Sequence, residues 1–107
     1  MVYVRLTSYE GAEKNEKVRT LIVVEDEALV AISIEQMAIE LGWTVLGIAR
    51  DVPTAIALLD DKRPDLAILD VQLVGSTSIP VANRCRATGT AVLFVTSYAA
   101  ADVPPEC

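Results

Sequence analysis

Two apolar runs of strand length in this chain end abruptly on acidic residues. Leu66-Ala67-Ile68-Leu69 is followed by Asp70, and Leu21-Ile22-Val23-Val24 by Glu25-Asp26-Glu27. A third run, Ala91-Val92-Leu93-Phe94-Val95, ends on Thr96-Ser97. Uninterrupted runs of this length suit strands buried on both faces, and in open parallel α/β sheets the ligand crevice lies outside the carboxyl ends of the strands. Glu25, Asp26, Asp70 and Thr96 are therefore expected to gather at one rim, from elements far apart in sequence. Each has a plainer reading when taken singly. A strand-end Asp is commonly just solvated, and Glu25-Asp26-Glu27 is also a charged helix start that suits the helix dipole. The repeated ending favours a site. Crowded carboxylates repel, a cost that a divalent cation offsets, and a shell of carboxylate, carbonyl and water oxygens suits Mg²⁺.

The elements that must position these residues alternate along the chain. Residues 1–19 form an expected flexible N-terminal arm, because Thr7 to Lys17 is polar and aperiodic. Residues 20–107 are expected to form one domain. Its first strand runs from about Thr20 to Val24. A helix then starts near Glu27 or Ala28, with Val30, Ile34, Met37 and Leu41 at helical spacing and Gly42 as its stop. Trp43 to Ala49 reads as the second strand, and Pro53 to Leu59 as a short helix ending before Pro64. Beyond the third strand, Gly75-Ser76-Thr77-Ser78 reads as a flexible loop. Pro80 opens a third helix that closes around Gly89, and Ala91 to Val95 is the fourth strand. This alternation predicts an α/β fold, a doubly wound parallel sheet with right-handed crossovers.

Composition narrows the function classes. The chain has 107 residues, 52% of them hydrophobic, enough for one domain with a real core. A formal charge of -6 with no His argues against nucleic-acid binding. No apolar run is long enough to span a bilayer, and the first residues lack a signal-peptide block, so a cytoplasmic protein is expected. Cys85 and Cys107 have no metal-ligand spacing and read as reduced thiols.

From about Val18 to Ser97 the sequence resembles receiver domains of bacterial two-component response regulators. The resemblance rests on Leu21-Ile22-Val23-Val24-Glu25-Asp26-Glu27, on Asp65-Leu66-Ala67-Ile68-Leu69-Asp70-Val71-Gln72-Leu73 and on Val92-Leu93-Phe94-Val95-Thr96-Ser97, in this order and spacing. It implies the flavodoxin-like receiver fold with strand order 2-1-3-4. It further implies that Asp70 is the phosphoryl acceptor and that Mg²⁺ is held by Asp26, by Glu25 mainly through water, by Asp70 and by the Gln72 carbonyl. Thr96 would contact the phosphoryl group and act as the switch. The implied donor is a sensor histidine kinase or phosphotransfer protein, with output through a downstream protein partner.

The chain departs from the family pattern near its end. Receivers continue through a fourth helix and a fifth strand ending in Lys-Pro, whereas Tyr98 to Asp102 offers about one helical turn before Pro104-Pro105. The expectation is a receiver without its fifth β-α unit. Its fourth strand would then be an open edge, covered by the N-terminal arm, by a partner chain or by elements exchanged in a homodimer. Two function classes follow: a phosphorylatable receiver, or a non-phosphorylated interaction or dimerisation module. A phosphatase of the haloacid dehalogenase type is disfavoured, because Gln72 stands where that motif needs its second acid.

Overall fold

The computed structural model describes residues 3–8, 19–73 and 76–96. Strand β1 (Tyr3–Ser8) is followed by β2 (Thr20–Val24), α1 (Ala28–Glu40), β3 (Thr44–Ala49), α2 (Val52–Lys62) and β4 (Leu66–Asp70). Then come β5 (Gln72–Leu73), β6 (Ser76–Thr77), α3 (Ile79–Thr88) and β7 (Ala91–Thr96). The main sheet has five strands in the order β1-β7-β4-β2-β3. The pairs β2–β3, β2–β4 and β4–β7 are parallel, so the order expected for the four parallel strands is the one observed.

Strand periodicity sorts the core into two layers. Ile22, Val24, Ala67, Leu69, Val92 and Phe94 face Ala55 and Leu59 of α2 and Val81, Ala82 and Cys85 of α3. The alternate residues Leu21, Val23, Leu66, Ile68, Ala91 and Val95 face Ala31, Ile34 and Ala38 of α1. This is the two-sided burial that continuous apolar strands imply. Truncating Leu59 or Phe94, both essentially unexposed, would cost about 2–5 kcal/mol.

Local signals set the helix limits. The Asp51 side chain accepts the Thr54 N–H at 2.9 Å, which caps α2; a hydrogen bond with the Thr54 side chain, and then this N–H, hold the Asp51 carboxyl below its usual range. Arg63, at φ 50, ends that helix in the left-handed region, and Gly89, at φ 79, ends α3 without a Cβ penalty. At the amino ends of the strands the Asp65 carboxylate accepts the Thr20 N–H at 2.9 Å and the Thr20 hydroxyl at 3.1 Å. The Asp65 carbonyl accepts the Ala91 N–H at 3.0 Å, so one residue ties β2, β4 and β7 at the end away from the carboxylates.

Three expectations change. The arm over residues 1–19 is corrected at Tyr3–Ser8, which lies antiparallel on β7 with Tyr3 opposite Thr96 and Val4 opposite Val95. Of the three coverings expected for the open edge, this is the N-terminal one, so a homodimer through an unpaired fourth strand loses its physical basis. Residues 76 and 77 pair with Leu73 and Gln72 rather than forming a structureless loop. On α1 the buried positions are Ala31, Ile34 and Ala38, while Met37 and Leu41 are exposed; the helix lies on β2 and β3 and turns the other side of its apolar stripe outward. The expected helical turn at Tyr98 to Asp102, the expected lack of a fifth unit and the reading of Cys107 fall outside the described residues.

Candidate functional site

The three strands that end in polar residues bring those ends to one rim. Glu25 directly follows β2, and its N–H donates to the Ala49 carbonyl at 2.9 Å, which prolongs the β2–β3 ladder by one step. That bond fixes the backbone and leaves the side chain at the crevice, where the Glu25 Oε2 accepts the Glu27 N–H at 3.0 Å. Glu25 is only 5% exposed; Asp26 and Asp70 are half-buried. Ligand oxygens from Glu25, Asp26 and Asp70 all lie within 4.8 Å of one another.

Electrostatics follow from this crowding. Burial pushes the Glu25 carboxyl up to about 7; the Glu27 N–H pulls the other way, and the charge of Asp70 and hydrogen bonds with Asp26 and Asp70 push it further up. Asp70 is also raised, first by burial and then by the Asp26 charge, against the opposing N–H bonds of Gln72 and Val71 and a hydrogen bond with Glu25. A cluster of three acids that resists full ionisation is a donor set that fits a small divalent cation, whose charge would reverse the penalty.

Asp70 is the last residue of β4, in register with Val95 of β7. Thr96 is the next residue of β7, so its backbone reaches the same rim. Gln72 lies two residues past Asp70, in the short ribbon with Thr77. Sequence reasoning thus placed Glu25, Asp26 and Asp70 together correctly as neighbours, and put Thr96 and Gln72 on the elements that flank them.

Two further residues hold this rim. Ser78, fully buried at the start of α3, donates its N–H to the Val71 carbonyl at 3.0 Å and its hydroxyl to the same oxygen at 3.4 Å. It anchors the segment that leaves Asp70. A serine one residue before a helix that opens with Ile79-Pro80 is a readable N-cap signal, though the side chain turns back to the loop instead of capping. Arg50, just past β3, reaches the Asp26 carbonyl at 3.5 Å, the outer limit of a hydrogen bond. Several other described cations are engaged elsewhere: Arg84 pairs with Asp60 at 2.6 Å, Lys62 with Asp61 at 3.7 Å, Arg86 donates to the Asn83 Oδ1 at 2.8 Å, and Arg19 lies over the Trp43 ring.

Parallel strands, crossover helices and a three-carboxylate crevice at the strand ends define an α/β module with an acidic site that could hold a metal ion. The response regulator receiver domain family model matches residues 21–107, and the chain belongs to that family. The regulator PhyR of Methylorubrum extorquens is 35% identical over 81 residues, covering 73% of this chain and 30% of its own length. The crystal structure of the response regulator PhyR from Brucella abortus superposes with a TM-score of 0.68 at 36% identity, over 75% of this chain and 34% of that one. The anti-anti-sigma factor PhyR from Bartonella quintana, in complex with the anti-sigma factor NepR, gives a TM-score of 0.70 at 32% identity, over 82% of this chain and 38% of that one. The chain therefore spans about a third of the length of these relatives. No described helix is long and apolar enough to cross a membrane.

Proposed function

We propose that this receiver domain accepts a phosphoryl group on Asp70 in a Mg²⁺-dependent phosphorelay and signals through protein–protein contact. The observation that carries this reading is the convergence of Glu25, Asp26 and Asp70 within 4.8 Å at the carboxyl rim of the sheet. Asp26, Asp70 and the Gln72 carbonyl would hold Mg²⁺, with Glu25 acting mainly through water. The bound ion would supply positive charge for the phosphoryl oxygens.

Asp70 is the nucleophile. Its ionised carboxylate oxygen forms a bond to phosphorus as the bond to the donor breaks, and the electron pair leaves with the donor, a phosphohistidine of a sensor kinase or phosphotransfer protein. An ionised carboxylate needs no general base, so the absence of His from the chain is no obstacle. Thr96, beside the Asp70–Val95 register, would donate its hydroxyl to the phosphoryl group and report its presence. Output by protein contact is supported by the PhyR relative that was solved with NepR. The domain is read as a cytoplasmic signalling module, with no turnover chemistry beyond its own phosphorylation and dephosphorylation.

Intact-mass analysis after incubation with Mg²⁺ and acetyl phosphate tests the proposal. The expected result is a single phosphoryl adduct that requires Mg²⁺ and is absent from Asp70→Ala. An unmodified wild type that still binds Mg²⁺ would replace this reading with that of a non-phosphorylated interaction module.

A further inference from the structure

Ser78 stands fully buried where β6 runs into α3, and each of its polar groups is engaged. Its carbonyl accepts the Ala82 N–H at 3.0 Å, a bond of the first turn of α3. Its N–H and its hydroxyl both turn to the Val71 carbonyl, at 3.0 and 3.4 Å. The N–H contact continues the β5–β6 ladder, in which Gln72 faces Thr77, by one rung to Val71 and Ser78. Any residue but proline would make that rung. The hydroxyl is the part that serine adds, and it serves Val71 in place of the usual bond to the first turn of its own helix.

The Val71 carbonyl belongs to the same peptide unit as the Gln72 N–H. The Asp70 carboxylate accepts this N–H together with that of Val71. A trans peptide is planar, with its C=O and N–H on opposite sides, so a carbonyl drawn to Ser78 turns the N–H toward Asp70. The Val71 side chain is itself unexposed, in the layer that holds Val81 and Ala82 of α3. Side chain and carbonyl of one residue are thus both held, and the peptide between Val71 and Gln72 has little freedom to rock. Phosphoryl transfer makes use of such rigidity: the attacking oxygen must stand in line with the leaving group, and errors of orientation cost rate.

We propose that Ser78 is a positioning residue for phosphoryl acceptance: by holding the Val71 carbonyl with two donors it keeps the Gln72 N–H on the Asp70 carboxylate and so fixes the orientation of the nucleophile. Its kinetic consequence rests on the reading of Asp70 as the phosphoacceptor. The contact it describes does not.

The test compares Ser78→Ala, which removes only the hydroxyl, with Asp65→Ala, which loosens the opposite end of the sheet. Two readouts are taken on folded protein: the Gln72 amide proton by NMR, and the rate of adduct formation with acetyl phosphate at saturating Mg²⁺. In Ser78→Ala the Gln72 amide should move upfield and exchange faster, and phosphorylation should slow by about three- to tenfold. In Asp65→Ala both should match the wild type, although stability falls. A Gln72 amide unmoved in Ser78→Ala, or an unchanged rate beside a moved amide, would overturn the proposal. Equal slowing in Asp65→Ala would do the same, since general loosening would then explain the effect. A wild type that takes no phosphoryl group would end the phosphoacceptor reading instead, and the Gln72 amide would still decide whether Ser78 holds the peptide.

Discussion

Glu25 and Asp70, on neighbouring strands of the sheet, share one carboxylate cluster, and the charge of Asp70 adds to burial in keeping Glu25 protonated up to about pH 7. Unfolded, Glu25 ionises near its ordinary value of 4.5. Between about 4.5 and 7 the native state therefore holds the extra proton, so this group's contribution to stability is full below that window and is lost as pH rises through it. The loss is on the order of 3 kcal/mol. Urea denaturation at pH 5 and pH 8 should show Glu25→Gln gaining on the wild type as pH rises; a constant difference between the two would sink the assignment.

Cation binding competes with that proton. Mg²⁺ should raise the melting temperature more at pH 8 than at pH 5.5, because the cluster is more fully ionised at the higher pH. Replacing Asp26 by Asn removes one carboxylate and should weaken Mg²⁺ at least about tenfold in a calorimetric titration. Undiminished affinity in that variant would show that the cation sits elsewhere.

Asp65 and Thr20 stitch the opposite end of the sheet, 45 residues apart in the chain. Asp65→Ala leaves the Thr20 N–H and hydroxyl without that acceptor, and a cost of about 1–3 kcal/mol is expected from chemical denaturation. The damage should be to stability alone. If Asp65→Ala also abolished Mg²⁺ binding while remaining folded, the two ends of the sheet would be coupled more tightly than their geometry indicates.

Cys85 is fully buried, and burial raises its thiol to about 12, so little reactive thiolate forms at neutral pH. In native buffer it should resist a thiol reagent, and it should react promptly once the chain is unfolded in urea. Mass mapping of the labelled peptides separates it from Cys107. Fast native labelling at Cys85 would mean that α3 detaches readily from the sheet.

Much of this fold was legible in the sequence because β2, β4 and β7 are buried on both sides and carry no competing pattern. The same signal placed Glu25, Asp26 and Asp70, since each lies where an apolar run gives way to charge. β1 was harder to see. Tyr3-Val4-Arg5-Leu6 alternates in the manner of a strand, but the run is short and leads into the polar residues that begin at Thr7, and its pairing depends on an edge more than 80 residues away. α1 misled for a different reason. Its apolar residues span more than one face, so Ala31 and Ala38 could take the buried line while Met37 and Leu41 turned outward. Small side chains let the helix approach the sheet closely, a preference that periodicity alone does not rank. Ser78 shows the limit of composition: four small polar or glycine residues suggested looseness, yet this one is buried and bonded to Val71.

The antiparallel seam between β1 and β7 joins the first described residues to the last, Tyr3 opposite Thr96. It closes the longest loop in the sheet, and a pairing of that kind pays its full loop-closure entropy before any contact repays it. As the chain leaves the ribosome, β1 is made first but must wait for β7 to emerge. The seam is thus the natural last step of folding, and β7 spends the interval with one edge unpaired.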